Sequence, residues 1–254
     1  MPTLSTRAGR LAYSETGSGR PVLLLHAALH DRHDFEPVTE FLAERHRVIA
    51  LDWPGHGDSE PAPELTGHLL GEALEDVVAA LELSGVVVIG NAIGGAAAAH
   101  LAIVRPDVVA GLVLVNTDGF ARPKVARLLG LRAVSRAVLP GLVARYIRPQ
   151  SVSDRRIAGT VAARARTGAG SAQWARLLRT TADLRAPAAA ITAPTLIVWG
   201  SQDALASLKV ARAARDAVPR AKLVVLPTGR LPFSSQPRNF LHAVEPFLRR
   251  ALTG

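Results

Sequence analysis

Five of the eight histidines in this chain of 254 residues fall between positions 26 and 56. The densest stretch, "HAALHDRHDF" (26–35), holds His26, His30, Asp31, His33 and Asp34. An imidazole exchanges its proton near neutral pH, so it serves as a general acid or base when a carboxylate orients it. His30 and His33 are therefore candidates for proton transfer. The competing reading is a polar loop that opens the next helix, with Asp34 as its N-cap. The spacing H-x3-H-D-x-H-D matches no zinc signature. The chain has no cysteine, which excludes disulfides, thiolate ligands and a Cys nucleophile. Neither a metal nor a cofactor is expected.

A second stretch, "GNAIGG" (90–95), joins an apolar run to a helix-like run. Glycines permit a sharp turn there, and a helix that starts at the turn aims free N–H groups and a positive dipole end at one spot. The residue at the centre is Ala92, a methyl group. Asn91, Asn116, Thr117 and Asp118 sit at the ends of the two neighbouring apolar runs. Asp118 reads as a second acid or as the cap of the segment that follows.

Positioning these groups falls to a repeating pattern. Apolar, β-branched runs recur at 21–27, 46–52, 85–90, 111–116, 194–200 and 221–227. Near-continuous apolar strands are buried on both faces, as in a mostly parallel sheet. Helix-like stretches at 34–45, 66–83, 94–104, 205–218 and 237–252 lie between them. Alternation of this kind predicts a doubly wound α/β architecture, with "RLAYSETG" (10–17) as an antiparallel edge strand. The pattern breaks once, over 119–185, where amphipathic helical stretches are punctuated by Pro123, Pro140, Pro149 and "TGAGS". The expected division is a core of 1–118 and 186–254 with a helical cap, 119–185, inserted in it.

Charge follows the same division. The net charge is +9, but fourteen Lys and Arg against two acids give the insertion +12, which leaves sixteen against nineteen, or −3, for the rest. Two readings stand: a solvated Arg-rich helical face, or attraction for an anionic substrate or partner. Aromatics are only 4% and no recognition motif is present, which argues against nucleic acid. No convincing apolar span and no signal-peptide core are visible, so a cytoplasmic protein is expected, with no membrane partner, as a monomer or homodimer.

Five motifs in order, "LLLHA" (23–27), "DWPGHGDS" (52–59), "GNAIGG" (90–95), "GSQD" (200–203) and "TGRLPF" (228–233), resemble those of the α/β-hydrolase fold superfamily over nearly the whole chain. The resemblance implies a mostly parallel sheet flanked by helices, a helical cap, and a nucleophile elbow at 90–95. It implies oxyanion donors at the backbone N–H groups of Ala28 and Ile93. It places Ala92 at the nucleophile, Asp203 at the acid and Arg230 at the base. Arginine cannot act as a base near neutral pH, and serine catalysis needs nucleophile and base together. Asp203 is expected to bind Arg230, either as a structural ion pair or with Arg230 clamping a carboxylate, phosphate or enolate. Three functions follow: an enzyme doing non-covalent acid/base chemistry on a small, anionic molecule, a non-catalytic binder, and an ester or lactone hydrolase with a substituted nucleophile. His26, His56 and His100 are read as structural.

Overall fold

The computed structural model describes residues 1–62, 64–121 and 147–252. Eight strands, β1 (Thr3–Thr6), β2 (Gly9–Thr16), β3 (Pro21–Leu25), β4 (Arg47–Leu51), β5 (Val86–Asn91), β6 (Val109–Val115), β7 (Thr195–Gly200) and β8 (Lys222–Leu226), form one sheet. Their order is β1-β2-β4-β3-β5-β6-β7-β8. The pairs from β4 through β8 are parallel, and β1–β2 and β2–β4 are antiparallel. The expected edge strand is therefore second from the edge. Thr3–Thr6 covers it, a run too short and too polar to show an apolar signal.

The strands carry branched aliphatic side chains because both faces are covered. Leu23, Leu25, Val86, Val88, Leu112, Leu114, Ile197 and Trp199 point into one core. Their alternates Val22, Leu24, Val87, Ile89, Val113, Val115, Leu196 and Val198 point into the other. This is the period of two that a pleated strand imposes.

Helices α2 (Gly67–Ala80), α3 (Ile93–Val104) and α6 (Leu208–Ala217) cover the first face, and α1 (Glu36–Ala43) and α8 (Pro237–Leu252) the second. Thr66 caps α2 by accepting the N–H of Leu69, which fixes where the helix starts. A short helix, α7 (Pro232–Ser235), precedes α8.

Within the insertion, α4 (Val152–Arg166) and α5 (Gly168–Thr180) are described. Residues 122–146, including Pro123 and Pro140, lie outside the described residues. A capping box between Ser151 and Asp154 starts α4. Three arginines tie these helices to the core, Arg156 to Glu36 at 2.6 Å, Arg164 to Asp31 at 2.9 Å and Arg176 to Glu64 at 2.8 Å. Part of the segment's positive charge is thus answered by acids of the core. No helix among the described residues is long and apolar enough to cross a membrane.

Candidate active site

The chain turns sharply between β5 and α3, and Ala92 carries the turn at φ 54° and ψ −115°. A non-glycine residue there is strained by about 1–3 kcal/mol and persists only where surrounding packing dictates it. The packing here is backbone against backbone. A Cβ at Gly94 would lie 2.4 Å from the Leu25 carbonyl oxygen, and one at Gly90 would lie 2.4 Å from that of Gly94. Glycine at both positions lets α3 press against the carboxyl end of β3. Ile93 opens α3, so its N–H has no acceptor within the helix. Because Gly94 touches the Leu25 and His26 carbonyls, that N–H sits beside the loop that carries Ala28. Ala92 itself, 2% exposed, presents only a methyl group.

Across the ends of β6, β7 and β8 lies a buried ionic cluster. Arg230, 2% exposed, donates to Asp203 Oδ2 at 3.1 Å through Nη1 and to Asp118 Oδ1 at 2.6 Å through Nη2. Asp203 also accepts from Asn116 Nδ2 at 2.7 Å and from the N–H groups of Leu205 and Ala206 at 2.7 and 3.1 Å. Asn91 Nδ2 donates to the carbonyls of Val115 and Arg230 at 3.0 and 3.2 Å, which ties the elbow strand to the Arg230 loop. The structure thus brings Asn91, Asp118, Asp203 and Arg230 together. Asn116, which the sequence placed only at a strand end, fixes the Asp203 carboxylate.

The histidine-rich loop divides into three environments. His30, fully buried, bonds through Nδ1 to the Asp34 carboxylate. Burial pushes the Asp34 carboxyl up, against the opposing pull of His30. Asp34 is therefore not the N-cap of α1, where Phe35 stands without a side-chain bond; Asp31 caps the 3-10 turn at 32–35 before it by accepting the His33 N–H at 3.0 Å. His33 has a side chain 47% exposed and bonds Asp31 at 3.1 Å. It is not joined to the ionic cluster or to the His30–Asp34 pair. His26 and His56 are braces. His26 Nε2 accepts the Trp53 N–H at 3.0 Å while Nδ1 donates to Ala27 O at 2.6 Å. His56 Nε2 accepts the Leu29 N–H at 3.0 Å while Nδ1 donates to Pro54 O at 3.0 Å. Burial lowers both to about 3, helped by neighbouring positive charge, so both imidazoles stay neutral. His100 is partly buried and bonds Glu75 at 3.2 Å.

A family model described as alpha/beta hydrolase fold matches residues 20–237. The chain belongs to that family. It is 30% identical over 249 residues to the pimeloyl-[acyl-carrier protein] methyl ester esterase of Chromobacterium violaceum, covering 91% of this chain and 95% of that protein. It is 28% identical over 282 residues to an uncharacterized protein of Mycobacterium tuberculosis, covering 97% and 81% of the two chains. Among solved structures, a thermophilic esterase from Thermogutta terrifontis matches with a TM-score of 0.83 at 26% identity, over 99% of this chain and 98% of that one.

Proposed function

We propose that the protein is an enzyme of small-molecule metabolism that works at this elbow without a covalent intermediate. In this reading His30, oriented by Asp34, accepts and returns the proton, and the amides of Ala28 and Ile93 hold a substrate oxygen. The observation that carries it is the pairing of Arg230 with two carboxylates at the place where the family resemblance puts the base. A guanidinium takes no proton near neutral pH, and Ala92 offers no atom for a base to activate. The His30–Asp34 pair joins an imidazole to an orienting carboxylate, both buried, on the loop that carries Ala28. Elimination, cyclisation, C–C or C–O cleavage, and addition of water all fit proton transfer beside a held oxygen.

Charge narrows the substrate. Asp118 and Asp203 against one Arg230 leave the cluster at −1. Arg230 has no excess charge to clamp an anion, so the reacting end of the substrate is uncharged. An anionic remainder would meet Arg148, which lines a cavity of about 920 Å³ with Gln150, Gln202 and Asp203. The names of the esterase relatives support a carbonyl compound.

The test is turnover, followed by NMR, of a panel of esters, lactones and β-hydroxy carbonyl compounds. Loss of general base catalysis in His30→Gln is expected to cut turnover by roughly 10²–10⁴. Unchanged turnover in that variant would remove His30 from the mechanism. Tight binding without conversion would favour a binding protein instead.

A further inference from the structure

The elbow lies at the carboxyl ends of the parallel strands. A second cavity, about 520 Å³, opens at their amino ends, where β7 and β8 begin. Its accessible apolar lining is Ala189, Pro194, Pro219 and Ala251, over the buried Phe247 and Ile191. Its wall carries three cations from three places: Arg220 in the turn before β8, Lys222 at the first position of β8, and Arg250 in the last turn of α8. Arg220 has a φ of 58°, in the left-handed region. Among the described residues, no acid lines the cavity. All three cations are exposed, and none makes an ion pair among the described residues.

Several cations elsewhere are answered by acids, whereas this opening gathers three with no acid in its described lining. Arg7, Arg32, Arg47, Arg105 and Arg230 each face a carboxylate within 3.3 Å or less. Three like charges around one opening repel one another, and an anion placed among them removes that cost. An apolar floor gains from covering by hydrocarbon at about 25 cal/mol per Å². One molecule satisfies both only if it has an anionic head and an apolar body. The volume falls within the range of small-ligand pockets, about 300–1,000 Å³.

We infer that this cavity binds an amphipathic carboxylate, a medium-chain fatty acid in form. The head group sits among Arg220, Lys222 and Arg250, and the chain lies on Ala189, Pro194, Pro219 and Ala251. The site is separate from the elbow and independent of the reaction proposed there.

Decanoate below its micellar concentration is the probe, titrated calorimetrically into the full chain. Decanol and inorganic phosphate are the controls that lack the charge and the chain. The unmodified protein is expected to bind one decanoate, more weakly as salt is raised, and to bind both controls at least tenfold more weakly. Lys222→Glu with Arg250→Glu, both at exposed positions, is expected to weaken decanoate at least tenfold. Should that pair fail to fold, Arg220→Gln is expected to weaken decanoate severalfold. Absence of decanoate binding, binding that the folded charge variants leave unchanged, or phosphate binding as tight as decanoate would each overturn the inference.

Discussion

Arg230 concentrates the chemistry of the site in one side chain. Its guanidinium is buried, permanently charged and held by Asp118 and Asp203. A single ion pair with Asp203 was legible from the motifs, but the second contact was not, since Asp118 reaches it from the end of a different strand. The His30–Asp34 pair was half legible. Both residues stood out by type, yet a loop has no periodicity to say which way a side chain points. The short 3-10 turn at 32–35 gives the cap to Asp31 and so releases Asp34 for His30. His26 and His56 give a prediction at this scale. Both titrate near 6.5 in an unfolded chain and near 3 in the fold, because burial lowers them and Nε2 already accepts a backbone N–H. Their folded forms are fully favoured above the unfolded value. As pH falls below about 6.5 the unfolded chain takes up protons that the buried pair does not, so stability falls with pH toward about 3. Urea unfolding between pH 7 and 4 measures the slope. A flat profile over that range would contradict the neutral, buried assignment.

At the scale of elements, the loop after β3 is clamped from two directions. Leu29 sits at φ 70°, its N–H bonded to His56 and its carbonyl to Arg164 Nη1 at 3.0 Å. Arg164 comes from α4 and also bonds the His30 carbonyl and Asp31. Helix α4 thus holds the backbone that carries Ala28 and His30. Arg164→Ala is expected to lower amide-exchange protection at 28–31 by about 1–3 kcal/mol, with α3 unaffected. Equal protection in both proteins would separate α4 from the loop. The helices and the parallel strands were readable because the periods of 3.6 and 2 are strong over long runs. β1 was not readable, since four residues with one buried side chain, Leu4, carry almost no signal.

For the whole molecule, the division of charge is the most informative property. The segment 119–185 carries +12 and the rest of the chain −3. Arg156, Arg164 and Arg176 of α4 and α5 face Glu36, Asp31 and Glu64. The exposed pairs of Arg156 and Arg176 contribute only about 0–1 kcal/mol each, while Arg164 is half-buried and also holds two carbonyls. Sequence could show the excess but not its partners, because those lie 112 to 133 residues away. The fold was legible from five motifs in order, and the family match over residues 20–237 agrees with them. What the molecule does at the elbow depends on two residues, Ala92 and Arg230. The most direct measurement compares Ala92→Ser with Ala92→Ser/Arg230→His on an activated ester, followed by intact-protein mass. The account predicts no acyl-enzyme in the single variant and a stoichiometric one in the double. Acylation of the single variant, or of the unchanged protein at a cleft side chain, would contradict it.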